Sequence, residues 1–263
     1  MMKNIAITSP SFCQNKYLVN EAQRFFVDLK FNIEGKMFTK QELISFIGDA
    51  EALIVGLDRI DSEVLDSCKN LKFISKYGVG LDNIDIEACQ KRNIGLGWTG
   101  GVNKLSVAEV TLLFMLSLIR NTHLTIGDLK AGRWNKNGGS QLSNKTIGII
   151  GLGNVGKEVV RLLKPFNCRI LVNDIVEQDI YYKKHALVEM PRDEIFEQAD
   201  IVTLHTTLDQ DTYNMVHLDV LKRMKPTSFI INTARSGLIS EEDLKIALQT
   251  NIISGAAIDV YLN

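Results

Sequence analysis

Short apolar runs alternate with segments of helical length along the whole chain. In the first hundred residues, strands are predicted at "KNIAIT" (3–8), "ALIVG" (52–56), "LKFISKYG" (71–78) and "IGLGW" (94–98). Helices are predicted near 15–30 and at "IDSEVLDSCKN" and "NIDIEACQKRN". Beyond residue 145, five more strands are predicted at "TIGIIG", "CRILVND", "DIVTLHT", "SFIINTA" and "SGAAIDVY". Strands that alternate with helices are typical of βαβ units and of a parallel sheet.

The longest apolar run, "LSVAEVTLLFMLSLI", predicts a buried helix in a core or in a subunit interface. It contains Glu109 and is too short to span a bilayer. Ser106 and Glu109 have the spacing of a capping box, so this helix is predicted to begin there. Ser240 and Asp243 predict the start of another helix, before "EEDLKIALQ".

These elements together predict an α/β protein with two Rossmann-like or flavodoxin-like domains, each a doubly wound parallel sheet. The predicted domains are 1–99 and 100–263, joined near 99–105. A polar, glycine-containing loop is predicted at 131–145. The two halves are alike in class, not in sequence.

The composition indicates a globular protein without a strongly charged surface. Of the 263 residues, 45% are apolar and 23% are charged, and the formal net charge is -1. No field of one sign is available to attract nucleic acid or an anionic membrane, so neither partner is predicted. The start, "MMKNIAITSP", lacks the apolar core and cleavage site of a signal peptide, so none is expected.

Cysteines and histidines are spaced too widely to indicate a disulfide framework or a metal site. None of the four cysteines forms a CxxC pair, so reduced thiols and a cytoplasmic location are expected. The four histidines show no HxxxH spacing. No metal site is predicted.

A glycine-rich turn follows the predicted strand "TIGII" and opens a helical segment. It carries Gly151, Gly153 and Gly156 in the spacing G-x-G-x-x-G. In a dinucleotide-binding turn, the first glycine permits the tight turn and the second lets the backbone approach a pyrophosphate. The third lets helix and strand pack closely, and the helix N-terminus binds the phosphates. A second match, "GLGWTG" (95–100), has no helix directly after it and is interpreted as a turn between domains.

An aspartate follows where such a turn needs an acceptor for the ribose. Asp174 ends the next predicted strand, eighteen positions after Gly156, and its carboxylate can accept both hydroxyls of the adenosine ribose. The alternative is an aspartate that caps a turn. The same carboxylate would repel a 2′-phosphate, and "DIVEQD" contains no arginine, so NAD is predicted in preference to NADP.

Seven segments occur in an order that resembles the D-isomer-specific 2-hydroxyacid dehydrogenases, and among them the D-3-phosphoglycerate dehydrogenase-like branch. They are "KYGVGLDNID", "LSVAE", "AGRW", "IGIIGLGNVG", "LHTTLDQDTYNMV", "INTARSGLISEEDL" and "GAAIDVY". The resemblance covers nearly the whole chain. It implies hydride transfer between C2 of a 2-hydroxy acid and nicotinamide C4. It also implies that the first domain binds the substrate and the second binds NAD.

The resemblance also implies a set of cofactor positions. His205 is among them and is expected to be a polar neighbour, not an acid–base group. The family commonly has a proline near the position of Thr207, so this sequence departs from the family's pattern there. The positions for the pyrophosphate are Asn154 and Val155. Those for the nicotinamide side are Thr233, Ala234 and Asp259. Those for the adenosine edge are His205, Thr206 and Thr207.

Substrate positions follow from the same resemblance. Arg235 matches the arginine that binds and polarises the 2-oxo acid against the nicotinamide, and its alternative is a surface ion pair. Gly78, Val79 and Gly80 match the loop for the substrate carboxylate, where successive N–H groups form an anion nest. The alternative for this loop is a simple strand-to-helix turn. Lys76 is a further candidate cation, or else a solvated lysine.

The family's acid–base pair, a histidine oriented by a glutamate, has no match in this sequence. The motif spacing places the glutamate just beyond "DVYLN" and the histidine further on, whereas the sequence stops at Asn263. We therefore expect the family's C-terminal tail to be missing, with NADH binding retained and turnover slow. A homodimer is implied through the helix after Ser106. Two alternatives stay open: an NAD-binding sensor or subunit without catalysis, and a transcriptional corepressor on the same scaffold.

Overall fold

The computed structural model describes residues 3–136 and 138–261. The chain divides into two compact units, Met1–Val102 (unit 1) and Asn103–Asn263 (unit 2). Each unit contains one sheet whose paired strands are parallel, accompanied by helices. The predicted fold class, two α/β domains built on parallel sheets, is therefore confirmed.

Unit 1 is built on five parallel strands in the order β2-β1-β3-β4-β5. This is the flavodoxin-like order, in which the chain starts near the middle of the sheet and winds to both sides. The strands are β1 (Ile5–Ile7), β2 (Leu29–Phe31), β3 (Ala52–Val55), β4 (Phe73–Lys76) and β5 (Gly95–Gly97). The helices are α1 (Pro10–Cys13), α2 (Lys16–Phe25), α3 (Lys40–Ile47), α4 (Ser62–Ser67) and α5 (Ile86–Lys91).

The core of unit 1 comes from the middle strands and the inner faces of the helices. Ile7, Leu53 and Ile74, one from each of three neighbouring strands, have no exposed surface. α3 begins at a capping box in which Thr39 and Glu42 bond each other's backbone N–H groups. The sequence pattern had not indicated this helix.

The second glycine motif of the sequence lies partly in a strand. Gly95 and Gly97 belong to β5, as the strand predicted at 94–98 requires, whereas Gly100 lies in a turn. The interpretation of the motif as a turn between domains is therefore wrong for its first two glycines. The ring of Phe73 lies over both residues, and a Cβ at either position would come within 3.0 Å of it. Glycine at these two positions leaves room for an aromatic ring that packs directly against the strand backbone.

Unit 2 is built on six parallel strands in the order β11-β10-β9-β6-β7-β8. Counted within the unit, this is the Rossmann order 3-2-1-4-5-6 read from its other edge. The strands are β6 (Thr146–Ile150), β7 (Arg169–Asn173), β8 (Val188–Glu189), β9 (Ile201–Leu204), β10 (Phe229–Asn232) and β11 (Gly255–Ile258). The helices are α6 (Lys104–Ile119), α7 (Thr122–Lys130), α8 (Asn154–Leu163), α9 (Asp179–His185), α10 (Arg192–Gln198), α11 (Leu218–Arg223) and α12 (Glu241–Gln249).

The sheet of unit 2 is buried on both faces. Neighbouring strand residues belong to different apolar clusters: Ile231 packs with α6 and α8, whereas Ile230 packs with α10, α11 and α12. Leu171 and Val172 divide in the same way on β7. Burial on both faces explains why these strands appear in the sequence as continuous apolar runs and not as an alternating pattern.

The helix starts show one wrong and one correct prediction. α6 begins at Lys104 after Asn103, and Ser106 lies inside its first turn, so the predicted Ser106–Glu109 capping box is wrong. The start predicted for α12 is confirmed, because the Ser240 hydroxyl accepts the N–H of Asp243 at 3.4 Å.

Among the helices in the described part of the chain, none by itself is long and apolar enough to cross a bilayer. α6 and α7, which meet at an angle of 69°, have the length and composition of a membrane span only when taken together.

Candidate active site

Three glycines shape the turn between β6 and α8, each for a different reason. Gly151 has a φ of +93°, and a Cβ there would lie 2.6 Å from the carbonyl carbon of His205. Gly153 precedes the first residue of α8, and the space into which its Cβ would project is open. A Cβ on Gly156 would collide with the carbonyl oxygen of Gly151, so only glycine lets α8 pack this close to the turn.

The first turn of α8 fits a diphosphate group. The helix begins with Asn154 and Val155, and no side chain caps its N-terminal N–H groups. These N–H groups and the positive end of the helix dipole stabilise negative charge. Because the space beside Gly153 is open, a pyrophosphate fits there without displacing a side chain.

Asp174 lies beside this turn, directly after β7. One of its carboxylate oxygens accepts the N–H of Leu152 within the turn, and the other accepts the N–H of Val176 at 2.8 Å. Each carboxylate oxygen can accept a second hydrogen bond, so Asp174 keeps acceptor capacity for a ribose. The turn and the acceptor are thereby fixed to each other.

A cleft of about 250 Å³ opens at the carboxyl edge of this sheet, beside Asp174. Exposed apolar side chains, Ile175 and Val176, form part of its wall, together with Met215. An acidic acceptor beside apolar side chains suits the ribose and base of an adenosine. The predicted positions that line this cleft are Gly151, Gly153, Asp174, His205, Thr206 and Thr207.

His205, at the end of β9, is kept neutral. Its Nε2 lies 3.0 Å from Oγ1 of the buried Thr203, and burial lowers its pKa to about 3. An imidazole that is uncharged near neutral pH in this way is poorly suited to donate a proton there. Beyond it, the Thr212 hydroxyl donates to the carbonyl of Thr207 at 2.8 Å and holds the loop along the cleft.

One buried asparagine organises the residues after β10. The side-chain amide of Asn232 donates to the carbonyl of Arg235 at 2.8 Å and accepts the N–H of Ala234 at 3.1 Å. The carbonyl of Asn232 accepts the N–H of Asp259 at 3.0 Å, which ties the ends of β10 and β11 together. Arg235 is half-buried, and its Nη1 donates to the carbonyl of Ala234 at 2.7 Å. Its guanidinium is thus held at the edge where such sheets bind ligands.

Thr233, the residue after β10, is held by a hydrogen bond to α6. Its hydroxyl lies 3.0 Å from that of Thr111, and both residues are buried. The Thr111 hydroxyl donates to the carbonyl of Val107 at 2.8 Å, so it accepts the proton of Thr233. The end of β10 is therefore fixed to a helix as well as to its neighbouring strands.

The loop Gly78–Gly80 lies at the carboxyl edge of the sheet in unit 1. Gly78 has a φ of +137°, which favours glycine. The carbonyl of Val79 accepts the indole N–H of Trp98 at 2.8 Å. This bond joins the loop after β4 to the residue that follows β5.

Lys76 ends β4 and is not the solvated lysine that the sequence left as an alternative. Its Nζ donates to the carbonyl of Gly56 and, at 2.6 Å, to Oδ1 of Asn83. The amide of Asn83 in turn donates to the carbonyl of Asp58 at 2.6 Å. Lys76 and Asn83 together fix the loops that follow β3 and β4.

Comparison with known proteins assigns the family. Residues 112–263, more than half of the chain, match the family model described as D-isomer specific 2-hydroxyacid dehydrogenase, NAD binding domain. The chain belongs to the D-isomer-specific 2-hydroxyacid dehydrogenase family. It is therefore an NAD-binding oxidoreductase of the 2-hydroxyacid dehydrogenase type, as the sequence motifs had implied.

Relatives of this dehydrogenase carry several names. The chain is 37% identical over 231 residues to a glyoxylate reductase of Thermofilum pendens, covering 85% of this chain and 68% of that protein. It is 36% identical over 232 residues to a D-3-phosphoglycerate dehydrogenase of Methanocaldococcus jannaschii, covering 85% and 43%. The crystal structure of a glyoxylate reductase from Paecilomyes thermophila is similar with a TM-score of 0.86 at 25% identity, covering 100% and 82%.

The sequence did not indicate four polar residues that the structure places beside predicted positions. Asn232 and Thr111 are polar residues within apolar runs, and this position was an available signal, because buried polar groups need partners. Asn83 follows the recognised glycine loop by three positions and was overlooked. Arg192 gave no signal, because it reaches the cleft of Asp174 only through the pairing of β7 with β8.

Proposed function

We propose that this protein uses NADH to reduce a small, unphosphorylated 2-oxo acid of the glyoxylate class. The observation that carries the proposal is the cleft beside Asp174 and the glycine turn in a sheet of Rossmann order. Family membership supports the reaction type, and the relative named glyoxylate reductase supports the substrate class.

We propose that the cofactor lies along the carboxyl edge of the sheet in unit 2. When bound, NADH would supply the hydride at nicotinamide C4 that C2 of the substrate receives, and a proton from water would complete the hydroxyl group. Asp174 accepts the ribose hydroxyls, and the N–H groups at the start of α8 bind the pyrophosphate. The further proposed contacts are Gly151, Gly153, Asn154, Val155 and Gly156 at the turn; His205, Thr206 and Thr207 at the adenosine; and Thr233, Ala234, Arg235 and Asp259 at the nicotinamide side.

Arg235 is proposed to be the catalytic residue for polarising the substrate carbonyl. Negative charge develops on the carbonyl oxygen as C2 receives the hydride, and a fixed cation stabilises that charge. The guanidinium stays charged at all physiological pH values, and Asn232 holds the backbone that carries it. The N–H groups of Gly78, Val79 and Gly80 are proposed to bind the substrate carboxylate.

The cations of unit 1 support an unphosphorylated substrate. A phosphate group is best bound by several cations or by a bidentate arginine. The sequence offers only Arg59 and Lys76 near these loops, and Lys76 is already bonded to Gly56 and Asn83. A phosphorylated substrate would therefore lack a cationic cluster at this edge.

We also propose a homodimer formed through α6 and α7. Apolar side chains on both helices are 46–60% exposed, and exposed apolar surface of this kind is typical of protein–protein interfaces. The exposed apolar residues are Leu105, Leu113, Leu124, Ile126 and Leu129.

A cytoplasmic location is proposed as well, because all four cysteines are free thiols.

Steady-state oxidation of NADH with two substrates tests this function. We expect glyoxylate to have a higher kcat/KM than 3-phosphohydroxypyruvate. Arg235→Ala should lower kcat roughly 100- to 1000-fold, the effect of removing one group that stabilises an oxyanion, with a much smaller effect on NADH binding. Arg24→Ala, at an exposed position of α2, is the control and should be unchanged. A preference for the phosphorylated substrate would overturn the proposed substrate class.

A further inference from the structure

The segment after β8 brings Arg192 to the cleft of Asp174. The N–H of Met190 donates to the carbonyl of Val172 at 3.2 Å, and the side-chain amide of Asn173 donates to the carbonyl of Met190 at 3.1 Å. Both bonds tie the start of α10 to the end of β7. Arg192, the first residue of α10, consequently lines the same cleft as Asp174.

The guanidinium of Arg192 is directed along the cleft wall and not along its own helix. Its Nη1 lies 3.5 Å from the thioether sulfur of Met215, and the residue is half-buried. Two of the three acidic residues that follow it on α10, Asp193 and Glu197, pair with Arg223, and the third, Glu194, is exposed. The positive charge of Arg192 therefore lies at a ligand cleft, and two neighbouring carboxylates bind another arginine.

We propose that Arg192 is a further cofactor-binding residue, whose planar guanidinium packs against the adenine ring. The proposal rests on the ribose position proposed at Asp174. Ile175 and Val176 expose apolar surface in the same cleft, which suits an uncharged planar base. The carboxylate of Asp174 disfavours a 2′-phosphate there, so the base is the better partner for the arginine. Arginine stacks on aromatic faces more readily than lysine does.

Ligands with and without the adenosine separate this role from a structural one. Arg192→Ala should weaken ADP-ribose and NADH binding roughly 2- to 30-fold, the range for a cation on an aromatic face. Binding of reduced nicotinamide mononucleotide, which has no adenosine, should not change when measured by saturation-transfer NMR. Arg161→Ala, on the exposed side of α8, is the matched control and should bind all three ligands normally. Arg192→Lys should recover only part of the loss.

Three results would overturn the proposal. One is unchanged ADP-ribose binding by Arg192→Ala, and another is an equal loss for the mononucleotide, which would indicate a structural defect. The third is a loss confined to NADPH, which would assign Arg192 to a 2′-phosphate. Failure of the ribose position is distinguishable, because Asp174→Ala would then leave ADP-ribose binding unchanged while Arg192→Ala still weakened it.

Discussion

Asp174 interacts both with the glycine turn and with the proposed ribose. We expect Asp174→Ala to weaken NADH binding roughly 10- to 100-fold, because a hydrogen bond to a charged group contributes about 1.5–3 kcal/mol. NADPH binding should weaken less, since the variant also loses the charge that repels a 2′-phosphate. Fluorescence titration with both cofactors measures how much the difference in affinity between NADH and NADPH decreases.

Asp174→Asn is the control for a loosened turn. The amide oxygen can still accept one of the backbone N–H groups, from Leu152 or Val176, while the negative charge is removed. We expect Asp174→Asn to reduce the difference in affinity between NADH and NADPH, with a smaller loss of NADH affinity than Asp174→Ala shows. If the unmodified protein bound NADPH as tightly as NADH, the role given to Asp174 would be wrong.

His205 makes stability depend on pH in the weakly acidic range. Its pKa is lowered by burial to about 3 in the folded protein, whereas an exposed histidine titrates near 6.5. Below that value the unfolded chain binds a proton that the folded protein does not, so stability falls as pH decreases. The contribution lost between about pH 7 and pH 5 is about 2 kcal/mol.

Urea unfolding of His205→Gln checks this contribution. The glutamine keeps a polar partner for Thr203 but does not titrate, so its free energy of unfolding should fall less between the two pH values, by about 2 kcal/mol. Equal losses in the two proteins would show that the imidazole is not buried as described.

In the turn between β6 and α8, Gly153 is expected to matter for cofactor binding and Gly156 for the stability of the fold. Gly153→Ala should fold normally, because φ is -78° and the Cβ position is open, but its methyl group should weaken NADH binding about 10-fold or more. Gly156→Ala should lower the free energy of unfolding by about 1–3 kcal/mol, because its Cβ meets the Gly151 carbonyl. Chemical denaturation and NADH titration of both variants measure the contrast, and equal destabilisation would contradict it.

The elements that the sequence predicted are those with a strong local signal. The nine predicted strands are all present. Seven of them lie inside a sheet, and β5 and β11 lie at sheet edges. β2 and β8, the other two edge strands, were not predicted, since they have only three and two residues and include exposed side chains. The start of α6 was misplaced because Asn103, without a side-chain cap, precedes the serine that the pattern favoured.

Across the whole molecule, the order of the strands in the sheet determines which site residues can be predicted from the sequence. The glycine turn, Asp174 and Arg235 lie next to strands that the pattern identifies, so their common edge could be predicted. Arg192 and Asp174 are brought together by pairing of β7 with an edge strand that has no pattern. Likewise, Asn232 acts through bonds to the chain after β10 and β11, which no local spacing indicates.

The proposed homodimer is tested by sedimentation velocity at micromolar concentration. We expect the unmodified protein to sediment as a dimer and Leu113→Glu to sediment as a monomer, because a charge would be placed within the apolar surface of α6. Leu57→Glu, at an exposed position of unit 1, is the matched control and should remain dimeric. A monomeric unmodified protein would contradict the proposed interface.

Hydride transfer from NADH to a small 2-oxo acid is the reaction proposed for this protein. It is tested by incubation with glyoxylate and NADH that carries two deuterium atoms at C4, followed by NMR of the product. The label accumulates with time, so the measurement does not need rapid turnover. We predict glycolate with one deuterium at C2, formed by the unmodified protein and formed roughly 100- to 1000-fold more slowly by Arg235→Ala. Binding of NADH without any transfer of deuterium would overturn the proposed reaction and indicate a cofactor-binding protein without this activity.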